Sequence, residues 1–305
     1  MAPRILLAVD FLNLAFRAYH APGYIGLTAP DGRPSSAVFG LVAMTQSLIS
    51  VSHASHVAFA FESIEKTHRH ELDAGYKAGR PEQPPDFEAQ VELANKAVGT
   101  MGWARYRAPG YEADDTLAAL AVLAIEADFD HVFIATSDKD LFGTVDEHVS
   151  MLWTAAGMAK IAENTYNRAK VIERYGVPPE AFADWKALAG DPSDRISGCP
   201  GIGDKGASAL LGQFGTIEAL YARLDEVKSA SMRHKLEAGR EAVRHSHAMV
   251  RLRADADLTP PFNPDSGELG RDNRERTLAF LESWGMKSVI RRLPPLKGPA
   301  DDELF

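Results

Sequence analysis

The sequence predicts an α/β fold with a parallel central sheet, because short apolar runs alternate with helical patterns along its first half. The apolar runs lie at residues 5–9 (ILLAV), 57–61 (VAFAF) and 132–135 (VFIA). Apolar residues fill each run without alternation, which is typical of strands buried on both faces. Helical patterns at 37–50, 88–98 and 116–127 separate the runs, which predicts right-handed crossovers between parallel strands.

The second half of the chain is predicted to be mainly helical. Helix signals dominate from Tyr166 onward, with turns at Pro178, 198–206 and Gly215, and a last helix is predicted at 272–284. We therefore expect three parts. They are an α/β core at 1–165, a helical region at 166–293 and a flexible tail, rich in proline and acid, at 294–305.

Composition excludes several classes of protein. The single cysteine, Cys199, has no partner for a disulfide within the chain and cannot build a cysteine-based zinc site. The longest apolar run, 116–125, is about half of the roughly 20 residues that a membrane span needs. Asp10 ends the apolar run at 5–9, so no signal peptide is expected. We therefore expect a cytoplasmic protein that does not enter a membrane.

The net charge gives a weaker indication. A formal charge of −9, from 33 Lys and Arg against 42 Asp and Glu, does not suggest a protein that coats nucleic acid by its overall charge. Acids gathered around metal ions would still leave basic patches for phosphate elsewhere on the surface. The charge is thus compatible with a DNA substrate and favours metal sites.

Acidic side chains follow each of the three predicted strands. Asp10 follows the first strand, Glu62 the second, and Asp138 with Asp140 the third. Because the carboxyl ends of parallel strands share one edge of a sheet, we expect these four side chains to meet. Any single acid of this kind is unremarkable, and the coincidence at three strand ends is what indicates a site.

Two more acidic groups extend the set: Glu112, Asp114 and Asp115 at the start of a predicted helix, and Asp191 with Asp194 in the helical region. Helix capping and turn formation are the alternative roles for these two groups. Nine crowded carboxylates would repel one another unless cations neutralised them. Oxygen ligands select Mg²⁺ or Mn²⁺, and this many predicts two ions about 3.5–4 Å apart.

Two other segments suit nucleic-acid contact. Residues 66–80 (KTHRHELDAGYKAGR) combine cations with Tyr76, which suits a single strand whose bases stack on the ring, although a solvated loop would look similar. The histidines there are expected at the surface. Residues 198–207 (GCPGIGDKGA) expose backbone N–H groups at a helix start, where phosphate binds, and Lys205 adds a charge. The loop lacks the Walker A pattern and follows no predicted strand, so a helix–hairpin–helix that grips duplex DNA is the better interpretation.

Four blocks, RHELDAGYKAGR, PGYEADD, TSDKDL and GDPSD…GIGDKGA, make the chain resemble the 5′-nuclease domain of bacterial DNA polymerase I and the related flap endonucleases from about residue 5 to 293. The resemblance implies a Rossmann-like PIN nuclease core, a helical arch at about 63–100, and a helix–hairpin–helix of the helix-three-turn-helix type with its loop at 198–206. It also implies a structure-specific 5′ nuclease, with flap endonuclease and 5′-3′ exonuclease activity, that cuts branched, flapped or nicked DNA in replication and repair.

The resemblance further implies roles for individual residues. It places Asp10, Glu62, Glu112, Asp114 and Asp115 at the first metal site and Asp138, Asp140, Asp191 and Asp194 at the second. It places Lys77 and Arg80 against the scissile phosphate, and Phe16 and Arg17 against the threaded or unpaired strand. The other expected DNA contacts are Arg69, Tyr76, Gly201, Gly203 and Lys205, and carbonyls of the glycine loop are expected to bind K⁺.

The chain departs from the family pattern at a few positions. Glu62 stands where the family has Asp, which lengthens one carboxylate by a methylene, and Arg195 and Cys199-Pro200 differ around the hairpin. The chain ends where polymerase I would continue into its other domains. We therefore expect a free-standing, monomeric, nucleoid-associated nuclease with no synthesis activity.

Other interpretations stay open. Glu62 leaves room for a non-catalytic DNA-structure-binding protein, and an RNA-directed PIN nuclease is a second alternative, although such proteins usually lack the helix–hairpin–helix. A phosphatase of the haloacid dehalogenase type needs Asp-x-Asp at the first strand, whereas Phe11 and Leu12 follow Asp10. The last residues, 301–305 (DDELF), are either a docking segment for a sliding clamp or a frayed acidic end.

Overall fold

The computed structural model describes residues 2–78, 83–270 and 274–293. Within them, a six-stranded sheet has the order β3-β2-β1-β4-β5-β6. The strands are β1 (Ile5–Asp10), β2 (His56–Phe61), β3 (Ala104–Arg107), β4 (His131–Thr136), β5 (Val149–Trp153) and β6 (Thr165–Tyr166). The first five strands are parallel and β6 is antiparallel. The predicted parallel sheet is confirmed, and β3, β5 and β6 are strands that were not predicted.

The helices are α1 (Phe11–His20), α2 (Ser36–Ser52), α3 (His68–Leu72), α4 (Phe87–Thr100), α5 (Ala113–Glu126), α6 (Arg168–Tyr175), α7 (Phe182–Ala189), α8 (Asp204–Phe214), α9 (Ile217–Ala222), α10 (Ala230–Val250), α11 (Arg274–Ser283) and α12 (Lys287–Ile290). The helices predicted at 37–50, 88–98 and 116–127 correspond to α2, α4 and α5. Helix α1 was not predicted. No helix in the described part of the chain is long and apolar enough to cross a membrane.

The sheet separates two apolar cores, because successive residues of a strand point to opposite faces. Leu7 and Val9 pack with α1, α2 and α4, and Leu281 and Trp284 join them from the end of the chain. Leu6 and Ala8 pack instead with α5, and this second core continues into the helical region. Helices therefore cover both faces, and the carboxyl edge of the parallel strands is left for the predicted acids.

Two glycines hold the acidic turn of the helical region against the glycine loop. Gly190, with φ +81°, ends α7 just before Asp191, and Gly198, with φ +62°, begins the loop. A Cβ atom on Gly198 would lie 2.4 Å from the Gly190 nitrogen, so no other residue fits there. The loop at 198–206 therefore runs beside the acidic turn and leads directly into α8.

Several predictions lie outside the described residues. They concern Arg80 at the scissile phosphate, the start of the last helix at Asp272 and the tail at 294–305. The helix predicted at 272–284 is described from Arg274 onward, as α11. The segment predicted as an arch contains α3 and α4, and residues 79–82 within it are also outside the described part.

Candidate active site

Asp10 lies at the end of β1, where two hydrogen bonds fix its carboxylate. The Asn13 backbone nitrogen donates to Oδ1 at 3.1 Å, and the Thr136 hydroxyl donates to Oδ2 at 2.9 Å. Burial, together with the charges of Asp138 and Glu62, raises the pKa of Asp10 to about 7. This carboxylate is therefore held in one orientation, in surroundings that favour a proton or a cation beside it.

Asp138 is the acid that connects the strand ends. Its Oδ1 accepts a hydrogen bond from the Asp140 nitrogen at 3.0 Å and so caps the 3₁₀ helix Lys139–Thr144. Its own nitrogen donates to the Thr136 hydroxyl at 3.1 Å, the same hydroxyl that donates to Asp10. The charge of Asp138 contributes to the raised pKa of Asp10, Asp114 and Asp140, which places it near all three.

A cavity of about 660 Å³ opens at this edge of the sheet. Five of the nine predicted metal ligands line it, namely Asp10, Glu62, Glu112, Asp114 and Asp138. Lys77 lines it as well, and Phe16, His20 and Phe87 form an aromatic wall beside the acids. The predicted convergence of the strand ends is therefore present, while Asp115, Asp140, Asp191 and Asp194 lie away from the cavity lining.

The Arg69 side chain lies among the acids at the start of α5. Its guanidinium donates to Glu112 at 3.0 Å, to Asp114 at 3.2 Å and to Asp115 at 2.8 Å. Only 1% of this side chain is exposed. The predicted contact of Arg69 with DNA is therefore not supported, because the side chain is buried and both of its Nη atoms donate to carboxylates.

Tyr76 and Lys77 both hold Glu112. The Tyr76 hydroxyl donates to Oε2 at 3.0 Å, and Lys77 Nζ donates to Oε1 at 2.8 Å. Burial opposes ionisation of Glu112, but Lys77 and Arg69 outweigh it and lower the pKa of this acid. Because Tyr76 is buried, its ring cannot stack on a nucleotide base, and that prediction is also corrected. Lys77 still borders the cavity.

The two histidines of this segment differ. His70 is exposed, as predicted. The prediction was wrong for His68, whose side chain is only 19% exposed and packs against the Tyr111 ring, with Nδ1 3.9 Å from Asp115 Oδ2.

Lys186, which was not predicted as a site residue, lies beside a second acidic group that consists of Asp140, Asp191 and Asp194. Lys186 is buried on α7, donates to Asp140, and lies 2.8 Å from Asp191 Oδ2. Burial and Asp138 raise the pKa of Asp140 to about 7 despite the ammonium, whereas Lys186 outweighs burial at Asp191 and lowers its pKa. Asp194 donates its backbone nitrogen to the Asp191 carbonyl at 3.3 Å and so belongs to the same turn. A lysine inside the mainly apolar helix FADWKALA was the available signal.

The donor set fits hard divalent cations, because it consists of carboxylate oxygens. Among residues 2–78, 83–270 and 274–293, however, no group of three or more Asp, Glu, His or Cys side chains is arranged to hold a metal ion. Arg69 and Lys186 now engage the oxygens of both groups. Binding of a divalent cation therefore requires some carboxylates to turn from these side chains toward the cation.

The other predicted DNA contacts differ in how far they are exposed. Phe16 is 40% exposed at the cavity, while burial lowers the pKa of the half-buried Arg17. In the glycine loop, Gly203 and Lys205 are exposed at the start of α8. Gly201 is a predicted DNA contact in the loop whose carbonyls are expected to bind K⁺, and its carbonyl accepts a hydrogen bond from Lys235 Nζ at 3.1 Å. An ammonium group therefore already binds one carbonyl oxygen of the loop.

The raised pKa of Asp10 predicts a pH effect on stability without divalent cations. A buried acid that keeps its proton contributes stability below about pH 4, and this contribution is lost as pH rises through about 7. Asp10→Asn should therefore become more stable than the wild type by about 2 kcal/mol at pH 8, and by much less at pH 4. Urea unfolding in EDTA at both pH values measures the difference. An equal difference at the two pH values would contradict the assignment.

Comparison with known proteins identifies a family for this chain. Residues 5–176 match the N-terminal, resolvase-like domain of the 5′-3′ exonuclease family, and residues 177–273 match its C-terminal domain, which has a SAM fold. Thermostable DNA polymerase I of Thermus thermophilus is 37% identical over 298 residues, which are 97% of this chain and 34% of that protein. The chain thus spans about a third of the length of such relatives.

Solved structures share the fold. The bacteriophage T5 flap endonuclease, in a complex with DNA and metal ions, has a TM-score of 0.66 at 23% identity, covering 92% of this chain and 100% of that one. The catalytic core of Rad2 with a DNA substrate has a TM-score of 0.60 at 16% identity, covering 95% and 91%. Because the first family model alone matches more than half of the residues, the chain belongs to the 5′-3′ exonuclease family.

Proposed function

We propose that this chain is a divalent-metal-dependent, structure-specific 5′ nuclease that hydrolyses phosphodiesters in flapped, branched or nicked DNA during replication and repair. One observation carries the proposal. Five acids from β1, β2, β4 and the start of α5 border a single cavity together with Lys77. A cavity lined by carboxylates, one ammonium and an aromatic wall suits a phosphate, its metal ions and an unpaired base.

The proposed cofactors are two Mg²⁺ or Mn²⁺ ions. Asp10, Glu62, Glu112, Asp114 and Asp115 would serve the first ion, and Asp138, Asp140, Asp191 and Asp194 the second. When bound, such ions activate a water for attack on phosphorus and neutralise charge on the leaving oxygen.

The remaining side chains would position the substrate. Lys77, with Arg80, would offset negative charge that develops on the scissile phosphate. Phe16 would stack against a base of the strand that enters the cavity, with Phe87 supporting it from 5.7 Å between ring centroids. Arg17 lies one position further along α1, where it would contact the phosphates of that strand.

The helical region would hold the duplex part of the substrate. Exposed N–H groups and Lys205 at the start of α8 suit a backbone phosphate. K⁺ would bind the loop only by sharing its carbonyls with Lys235. Under this proposal residues 1–165 are the nuclease core with the arch, 166–293 bind duplex DNA, and 301–305, within the tail at 294–305, are a docking segment for a sliding clamp. The proposed setting is the nucleoid, as a monomer in the cytoplasm.

Cleavage mapping tests the function directly. Purified protein is incubated with end-labelled flap, nicked and single-stranded DNA in Mg²⁺, Mn²⁺ or EDTA. The proposal expects cuts near the junction of the 5′ flap, with single nucleotides released from nicks, and none in EDTA. Tight binding of the flap with no cleavage in either metal would instead support the non-catalytic alternative that Glu62 raises.

Lys77→Ala should slow cleavage more than it weakens binding. Removing a cation that neutralises developing charge costs about 10²-fold in the single-turnover rate, while the ground-state complex loses little. Single-turnover rates and dissociation constants in Ca²⁺ separate the two effects. Lys170→Ala, which removes a partly exposed lysine that donates to the Glu163 carbonyl, is the control. A weaker complex with an unchanged rate would remove Lys77 from the chemistry.

A further inference from the structure

Arg69 is a buried cation that touches three carboxylates and a second element of the fold. Besides its bonds to Glu112, Asp114 and Asp115, its Nε donates to the Met249 carbonyl at 2.8 Å. Met249 lies in the last turn of α10, in the helical region. One side chain thus joins the acidic start of α5 to the end of α10.

Helix α10 connects this point to the glycine loop. Near its start, Lys235 donates to the Gly201 carbonyl, and Gly239 packs so closely that a Cβ atom there would lie 2.7 Å from Cys199 Sγ. The helix has 21 residues, so it is about 30 Å long. Just beyond its end, the Arg253 nitrogen donates to Asp115 Oδ1 at 2.9 Å. The surface that would grip duplex DNA is therefore linked to the acids through one helix.

The charge of the three acids explains why a positively charged side chain is needed beside them. Glu112, Asp114 and Asp115 are each at most 7% exposed, and three carboxylates this close repel one another strongly. A guanidinium does not lose its proton at any relevant pH, and its planar fork can serve several oxygens at once. Arg69 therefore supplies a permanent positive charge to the group, whether or not a divalent cation is bound.

We propose that Arg69 is a positioning residue: a built-in counterion that keeps the three acids at the start of α5 together in the absence of divalent cations and fixes their place relative to α10. A divalent cation that binds there takes over part of the charge that Arg69 neutralises, as some of these carboxylates turn from the guanidinium toward the cation. This inference rests on the proposed function only in that the acids bind divalent cations.

The test compares Arg69→Met with Arg69→Lys and with Arg168→Met. Arg168 forms an exposed ion pair with Glu180, so its loss removes an arginine far from the acids. Thermal unfolding is followed in EDTA and in saturating Ca²⁺. Without Arg69 the cation is expected to supply the missing charge, so the rise in Tm caused by Ca²⁺ should be at least about twice that of the wild type. Arg168→Met should show the wild-type rise, and Arg69→Lys an intermediate one.

Hydrogen exchange provides a second measurement. Loss of Arg69 should speed amide exchange both at 113–118 and at 246–253 in EDTA, with Ca²⁺ restoring protection at 113–118 alone. A fall in Tm that is equal with and without Ca²⁺, or faster exchange at only one of the two segments, would overturn the proposal. If Arg69→Met does not fold in either buffer, the same comparison with Arg69→Lys decides.

The outcome is separable from that of the proposed function. If the wild type cleaves none of the DNA substrates but Ca²⁺ still raises its Tm, the nuclease proposal fails and the Arg69 comparison remains valid. If the wild type cleaves DNA and Arg69→Met shows no larger response to Ca²⁺, the nuclease proposal stands and the role of Arg69 is refuted.

Discussion

Asp138→Asn is expected to lower single-turnover cleavage of a 5′-flap substrate by roughly 10³-fold while DNA binding in Ca²⁺ survives. The charge of Asp138 helps to raise the pKa of Asp10, Asp114 and Asp140, so this acid is electrically coupled to both acidic groups. Removing the charge of Asp138 therefore weakens the attraction of both acidic groups for a cation. Asparagine keeps the oxygen that caps the following 3₁₀ helix, so the fold should remain intact.

Asp130→Asn provides a matched control. Asp130 flanks the same strand at its opposite end, where its side chain accepts a hydrogen bond from the Arg4 nitrogen at 2.7 Å. That variant loses the same charge and should cleave at the wild-type rate. If Asp138→Asn kept a rate within about 10-fold of the wild type, Asp138 could not link two cation sites. The proposal of two metal ions that share this acid would then be refuted.

The convergence of acids was predictable because it depends only on chain direction. Asp10, Glu62 and Asp138 follow strands that are apolar throughout, and parallel strands bring their carboxyl ends to one edge. The strands that were not predicted lack this signal. In β3 (ARYR) charged residues alternate along a short edge strand, and β5 (VSMLW) is a five-residue run that contains a serine.

The contacts of Arg69, Tyr76 and Lys77 were not predictable from composition. These residues lie in a segment whose charge fits a solvated loop or a DNA contact equally well. Their roles depend on where the segment lies relative to the start of α5 and, for Arg69, the end of α10, which no local pattern records. Asp115 shows a similar limit, since it accepts a capping hydrogen bond from the Glu112 nitrogen at 3.2 Å while it binds Arg69. The capping interpretation is confirmed for this residue, and its role as a metal ligand stays a prediction.

Lys186→Met is expected to be the most destabilising of the single substitutions at the second acidic group. The ammonium lies between Asp140 and Asp191, and its removal leaves two poorly hydrated carboxylates without a positively charged partner. Breaking a buried ion pair in this way typically costs about 3–5 kcal/mol. Urea unfolding in EDTA at pH 8 measures the loss, and Lys170→Met, at a partly exposed lysine, serves as the control.

The cost should depend on pH and on divalent cations, which distinguishes charge from packing. The pKa of Asp140 is about 7 even beside Lys186, so below that pH the acid takes up a proton and the unpaired charge disappears. The destabilisation should therefore shrink by roughly half or more at pH 5.5. Saturating Mg²⁺ at pH 8 should restore part of the loss, because a divalent cation can take the place of the ammonium between the two carboxylates. A loss that stays the same under all three conditions would mean that Lys186 acts through the packing of its aliphatic chain, and the second group would then have no demonstrated affinity for a cation.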